Sequence, residues 1–456
     1  MAMGKRGDRQ PGMWIATTTL AKAPSHPFYQ ALNGVLRRER FDAFVEERCR
    51  PFYAKRIGRP SLPPAVYFRL LLIGYFEGID SERGIAWRVA DSMTLRDFLG
   101  YDLSEGTPDH STISRNRRLL SLEVHQEVFS WILAVLTKEE LLRGKTLGVD
   151  ATTLEANAAL RSIVRRDTGE GYQEFLTRLA KASGIETPTR DDLARLDRDR
   201  KGKGSNKDWR HPFDPDARIA KMKDGRTHMA HKAEHAVDLE TGAVVGVTLQ
   251  PADRGDTQSL EKTIDETAEA LAASFGDEDD EAAVPSEELM KELVADRGYH
   301  SGAVLAEQTE RGIRTYISEP KRGRRHWRGK RAQRDATYAN RRRIRSERGK
   351  QLARLRAEKA ERTFAHCYET GGMRRTHLRG HDNILKRLVI HVGGFNLALV
   401  MRKMIGIGKP RRLQGLATAP LETVLVILRT IRRITVALVR SDYDTSGLAL
   451  PTPCTR

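Results

Sequence analysis

The stretch KTLGVDATT, Lys145–Thr153, sets a single acidic residue, Asp150, at the end of a short apolar run. Leu147 and Val149 read as a buried strand, but the carboxylate does nothing for packing, because an ionised group costs several kcal/mol to desolvate unless something cationic compensates it. A cation is therefore expected beside Asp150. It can be an arginine, of which the chain has many, or a divalent metal shared with other isolated acids.

The 456 residues suffice for two or three domains, and 39% hydrophobic content supports an ordinary soluble core. With 79 Lys and Arg against 61 Asp and Glu the net charge is +18, and the sequence pI is near 9.9. Such an excess points to a polyanionic partner, nucleic acid first. A membrane surface is the rival, but the best apolar span, Leu421–Val439, is broken by Arg429, Arg432 and Arg433 and reads as an amphipathic helix. The N-terminal MAMGKRGDRQPGMW lacks the apolar core of a secretory signal. Cys49, Cys367 and Cys454 are too few and too scattered for a disulfide framework or zinc knuckle, so a reducing cytoplasm is expected.

Outward from Asp150, the chain divides into four regions. Residues 1–57 form a lead-in with one helix expected over Pro27–Cys49. Residues 58–142 read as short helices: Pro64–Phe76, a break at Gly78, and a second helix from Ser81. In the same region Pro108 and Asp109 open a basic helix bearing Arg115, Arg117 and Arg118, read as the recognition helix of a helix-turn-helix unit or, alternatively, as a solvated helix of a bundle. An amphipathic helix over Val124–Leu142 then leads to Asp150.

Residues 143–400 are the third region, with a polar insertion at 154–225 holding helices near Tyr172–Ala182 and Asp191–Leu196 and a basic run that either touches phosphate or solvates a loop. A β-hairpin is expected either side of Leu239–Gly242, then a helix over Asp256–Ala273 and an acidic linker over 276–288. LVADRGYHS, Leu293–Ser301, is a second apolar strand ending in an acid, Asp296, followed by a helix and a third strand over Thr315–Ser318. Strand, helix, strand with an acid at the carboxyl end is how α/β sites are built. The segment 321–350 has 14 Lys and Arg against 2 acidic residues, the densest charge in the chain. A long helix over Leu352–Cys367 carries Glu361, and two more helices are expected between the Gly371–Gly372 break and Gly406. Residues 401–456 complete the chain.

Two strand-end aspartates brought together repel unless a divalent ion holds them, and hard oxygen ligands suit Mg²⁺, with Mn²⁺ as substitute. A pair of such ions activates a water or 3′-hydroxyl and stabilises the leaving oxygen in an in-line phosphoryl transfer. Each acid also has a plainer reading. Asp150 can cap a turn, Asp296 can pair with Arg297, and Glu361 can be a surface glutamate; Asp253 and Asp256 compete for the second role, Glu358 and Glu369 for the third.

GVDATT, VADRGYHS and EKAERTFAHCYETGGMRRTHLRG, in that order, together resemble the DDE transposases of bacterial insertion sequences, while GRPSLPPAVYFRLLLIGYFEG and TPDHSTISRNRR look like their helical DNA-binding region. The resemblance implies an RNase H-like α/β catalytic core with an all-α N-terminal domain and a C-terminal helical region. It places the catalytic, metal-holding triad on Asp150, Asp296 and Glu361. The Tyr, Arg and Lys that many relatives space around the Glu would fall on Arg354, Ala357 and Tyr368, so that signature is absent, although Arg354 and Arg356 remain on the same helix to orient phosphate.

What the resemblance implies for function is strand cleavage at terminal inverted repeats and joining of the 3′-hydroxyl ends to target DNA by a homodimer on double-stranded DNA, in the cytoplasm at the nucleoid and not at a membrane. Arg115, Arg117, Arg118, Arg341, Arg342, Arg343 and Arg354 are the expected DNA contacts, and Trp327 the aromatic available to stack a flipped base. The rival readings are a metal-dependent nuclease without strand transfer and a catalytically silent DNA-binding repressor derived from a transposase.

Overall fold

The structure, a computed structural model, describes residues 26–54, 61–102, 104–200, 204–222, 225–275, 289–321, 323 and 325–415. The expected acidic linker at 276–288 and the helix at Leu421–Val439 lie outside them. Helices come first: α1 (Pro27–Arg38), α2 (Phe41–Cys49), α3 (Pro64–Glu77), α4 (Glu82–Asp91), α5 (Met93–Leu99), α6 (His110–Leu119) and α7 (Leu122–Lys138). Their starts are set by local chemistry. Ser81, Ser92, Asp109 and Ser121 each accept a backbone N–H three residues on, filling donors that a helix leaves open. The single helix expected over Pro27–Cys49 is two, because Arg40 takes a left-handed conformation, φ 55°, and turns the chain between α1 and α2.

The strands and remaining helices are β1 (Thr146–Glu155), β2 (Val164–Arg165), α8 (Tyr172–Ala182), α9 (Arg190–Asp199), β3 (Trp209–Arg210), β4 (Arg218–Lys221), β5 (Thr227–Asp238), β6 (Val244–Pro251), α10 (Asp256–Phe275), β7 (Glu292–Ala295), α11 (Gly302–Glu310), β8 (Arg314–Ile317), α12 (Arg331–Arg345), α13 (Glu347–Phe364) and α14 (His381–Ile405). The main sheet runs β5-β1-β7-β8, with β4 and β6 sharing the outer edge of β5. β5 is antiparallel to β1, β4 and β6, whereas β7 lies parallel to β1 and β8 parallel to β7. This is a mixed sheet flanked by helices. The insertion folds around buried Trp209, with Ala156, Ile163, Ala217 and Met229 against it and Tyr172 and Phe175 on its rim.

Successive side chains of a strand face opposite sides. On β1, Gly148 and Asp150 face α13, since a Cβ at Gly148 would sit 3.0 Å from Arg356 Cγ. The other side faces α10: Val149 pairs with Ala236, Ala236 with Gly246, and a Cβ at Gly246 would strike Thr267.

Two expected helices after Gly372 are one, α14. Its Gly393 and Gly394 do not break it but let it approach closely, for a Cβ there would meet Ile132 of α7 at 2.7 Å and Tyr75 of α3 at 2.8 Å. α14 packs on α3, α7 and β6, so the N-terminal helices and the sheet share one core, and the described residues up to Lys409 form one compact unit. Pro410–Gly415, a short 3₁₀ turn, begins another. The helix starting at His381 is long and apolar enough to cross a membrane, yet 89% of its apolar window is buried inside the fold.

Two core histidines are held neutral. His125 lies between the Tyr67 hydroxyl and the Ser121 carbonyl, and His235 between Thr363 and the Tyr368 hydroxyl. Burial lowers both to about 3. The unfolded chain takes up these protons near pH 6.5, so their contribution to stability is complete above that pH and is lost as pH falls from 6.5 towards 3. Denaturant melts should show stability falling between pH 6 and 4 by up to about 1.4 kcal/mol per pH unit for each histidine. His125→Gln and His235→Gln should flatten that slope.

Candidate active site

β1 and β7 run parallel with Val149 opposite Ala295. Asp150 follows Val149 within β1 and Asp296 follows Ala295 just past the end of β7, so each acid stands one residue beyond the last pair of this register. Asp150 is not a strand end, as the sequence suggested, but the fifth residue of a ten-residue strand: β5 goes on pairing with β1 as far as Glu155. What ends at Val149 is the pairing with β7, because the chain turns away after Ala295 into a 3₁₀ turn, Arg297–Tyr299. Asp296 caps that turn, its Oδ1 accepting from the Gly298 N–H at 2.8 Å.

The cation beside Asp150 is Arg356. Its Nη1 donates to Asp150 Oδ2 at 2.7 Å, while Asp150 Oδ1 accepts from the Ala151 N–H. Both side chains are mostly buried, 16% and 22% exposed. Arg356 lies on the sheet-facing side of α13, in line with buried Leu352, Ala360 and Thr363. Glu361 is on the same helix but exposed. Five residues of α-helix turn it about 140° away from Arg356, so its carboxylate is directed off the sheet. His235, opposite Asp150 in the register, is turned into the core and serves packing.

Beyond Asp150, Arg374 donates from Nη1 to Thr152 Oγ1 at 3.2 Å and to the Thr153 carbonyl at 3.3 Å. Arg375 stands 3.6 Å from Glu155. Arg356, Arg374 and Arg375 thus line β1 from Asp150 to its end. The sequence reading did not single out Arg374 or Arg375; the available signal was the basic pair directly after Gly371–Gly372–Met373.

The expected DNA contacts separate into exposed and structural residues. Arg115, Arg118, Arg342 and Arg354 are exposed. Arg117 is buried: its guanidinium holds Glu82 at 2.7 Å and Asn383 at 2.5 Å, joining α6 to α4 and α14. Arg341 binds both Glu319 oxygens at 2.8 Å, which raises its pKa and lowers that of Glu319. Arg343 donates to the Thr315 carbonyl at 2.8 Å and anchors α12 on β8. Trp327 is half-buried, under the Arg325 guanidinium and beside Tyr338. Arg117→Ala should therefore cost about 3 kcal/mol or more of stability by stranding Glu82, whereas Arg115→Ala with Arg118→Ala should leave the melting temperature unchanged. If those two arginines bind phosphate, the double variant reduces the salt slope of DNA affinity by about 2.

Among the described residues, no set of three or more His, Cys, Asp or Glu side chains is gathered as a metal cluster. The donor chemistry at Asp150 and Asp296 nevertheless fits a hard divalent ion, since both are carboxylates and each follows the last β1–β7 pair by one residue.

Two aspartates thus follow the last pair of two adjacent parallel strands, with Arg356, Arg374 and Arg375 along β1. Residues 19–119 match the family described as Transposase domain (DUF772), and residues 199–397 match the family described as Transposase DDE domain. The chain belongs to the insertion-sequence DDE transposases. No curated protein and no solved structure matches it.

Proposed function

We propose that this chain cleaves DNA at the terminal inverted repeats of an insertion sequence and joins the freed 3′-hydroxyl ends to target DNA. The observation that carries the reading is that Asp150 and Asp296 each follow the last parallel β1–β7 pair, Val149 opposite Ala295, by one residue. The sheet supports an RNase H-like core: an antiparallel set, β6-β5-β1, continued by parallel β7 and β8, with the first acid within β1 and the second just past the end of β7. Asp150, Asp296 and Glu361 are the residues that would hold Mg²⁺ or Mn²⁺, which when bound supplies an activated water or hydroxyl and stabilises the leaving oxygen. Glu361 joins them once α13 turns on the sheet. Arg356 and Arg374 orient the scissile phosphate, while Arg115, Arg118, Arg342 and Arg354 hold the duplex backbone and Trp327 stacks on a base. Two copies on DNA bring two ends together, in the cytoplasm where the DNA lies.

Glu361→Gln is expected to abolish Mg²⁺-dependent cutting of end DNA with DNA binding retained, and Glu358→Gln to leave cutting intact. Full activity in Glu361→Gln would remove that residue from the site. The outward direction of Glu361 favours one second reading, a DNA-binding repressor without catalysis. Tight binding of ends by the unmodified protein, with no cutting in Mg²⁺ or Mn²⁺, would select it.

A further inference from the structure

Behind the Asp150 side of the sheet lies a buried polar group that the proposed reaction does not use. Lys232, on the α10 side of β5, is almost fully buried and sits among four partners: Asp256 Oδ1 at 2.6 Å, Glu234 Oε1 at 2.8 Å, Ser259 Oγ at 2.9 Å and the Arg254 carbonyl at 3.3 Å. Glu234 is completely buried and also accepts from Thr263 Oγ1 at 2.6 Å and from the Tyr299 hydroxyl at 3.2 Å. A buried ammonium ion with two carboxylates is costly to assemble unless its hydrogen bonds are complete, and here both carboxylates reach the Asp296 turn.

Asp256 opens α10, and its second oxygen faces that turn. A Cβ built on Gly298 would lie 2.0 Å from Asp256 Oδ2 and 3.1 Å from Asp296 Oδ1. Only glycine lets the turn lie this close to Asp256. The same Gly298 supplies the N–H that holds Asp296 Oδ1, and Tyr299, next in sequence, is buried with its hydroxyl on Glu234. The turn is thus held at two points, Gly298 against Asp256 and Tyr299 on Glu234, and Lys232 joins the two acids from below.

We infer that Lys232, Asp256 and Glu234 form a positioning clamp that holds the Asp296 turn in one conformation, so that its carboxylate is set beside Asp150 before a metal arrives; this rests on the reading of Asp296 as a metal ligand. Asp256 is a positioning residue here, since its charge is taken up by Lys232. Groups that orient a metal ligand from behind commonly change metal affinity by 10–100-fold when removed.

The test uses the full-length protein with end DNA, titrated with Mn²⁺ and followed by the electron spin resonance of free Mn²⁺, together with amide hydrogen exchange of the metal-free protein. Asp256 is 34% exposed, so its replacement is tolerable for folding. Asp256→Ala should raise the Mn²⁺ concentration at half-saturation about tenfold and speed exchange at Gly298 and Tyr299, while end-DNA affinity stays unchanged. Asp256→Asn, which keeps the shape and an oxygen for Lys232, should restore both. Unchanged exchange at Gly298 and Tyr299 in Asp256→Ala would overturn the clamp. So would an Asp256→Asn variant as impaired in Mn²⁺ binding as the alanine, because Asp256 would then itself be a ligand. A general rise in exchange across α10 and β5 with unaltered Mn²⁺ binding would reduce the cluster to ordinary core structure. If the unmodified protein binds no Mn²⁺, the ligand reading of Asp296 fails, and the exchange data still decide whether the clamp orders the turn.

Discussion

Asp150→Asn and Asp296→Asn should each abolish Mg²⁺-dependent cleavage of end DNA, a loss on the order of 10³-fold or more, while DNA affinity stays within about twofold. The size follows from the charge lost. The amide keeps the shape of the carboxylate but not the charge, and the ion it would have held contributes several kcal/mol to stabilising the developing negative charge. The two variants differ in what else they remove. Asn at 150 loses its ion pair with Arg356, a contact mostly but not wholly buried, so a melting shift equivalent to about 1 kcal/mol is expected. Asn at 296 retains an oxygen to accept from Gly298 and should melt as the unmodified protein does. Single-turnover cleavage of a labelled end, beside a binding titration and a thermal melt, checks all three statements. Normal cleavage by either variant would remove that residue from the site.

The second large effect concerns Arg356. Its guanidinium occupies Asp150 Oδ2, so it competes for the carboxylate that a divalent ion would need. By linkage, whatever binds one state of a group opposes ligands of the other. Arg356→Gln should therefore tighten Mn²⁺ binding to the DNA-free protein by about tenfold, the equivalent of about 1.4 kcal/mol of ion pairing. The same substitution should slow cleavage at saturating metal, because the side chain that leaves Asp150 is the one nearest to steady the scissile phosphate. Calorimetric titration with Mn²⁺ measures the first effect. An affinity equal to or weaker than that of the unmodified protein would show that Arg356 does not guard the site. Adding Asp150→Asn to Arg356→Gln should eliminate the tightened binding.

Much of this arrangement was legible in the sequence, and the exceptions have physical causes. The isolated acids in apolar strands marked Asp150 and Asp296 because burial of a lone carboxylate demands a partner. The β-hairpin around Leu239–Gly242 and the strand, helix, strand order after Leu293 were readable from side-chain periodicity. The periodicity does not reveal where pairing partners stop. Asp150 therefore looked like a strand end, when it is the neighbour β7 that ends beside it. Two helices were expected between Gly372 and Gly406 where one runs through, because nothing local shows that Ile132 and Tyr75 will press against Gly393 and Gly394.

Arginines were the least legible. Arg115, Arg117 and Arg118 are alike in sequence, but helical phase exposes two and buries one against Glu82. The same phase sets Arg341 on Glu319 and Arg343 on Thr315 while leaving Arg342 in solvent. The answer to the charge on Asp150 was also hidden, since Arg356 is 206 residues away along the chain. Arginine and metal had seemed alternatives. On the proposed function they are successive partners of one carboxylate.

The most direct measurement of the shared site is iron-directed backbone scission. Fe²⁺ bound in place of Mg²⁺ generates hydroxyl radicals in the presence of ascorbate and peroxide, and these cut the chain next to the ion. If Asp150 and Asp296 hold one metal centre, the full-length protein on end DNA gives paired cuts around residues 149–151 and 295–297, both suppressed by excess Mg²⁺ and both lost in either single Asn variant. Cuts at only one of those places, or cuts that survive in the Asn variants, would contradict it.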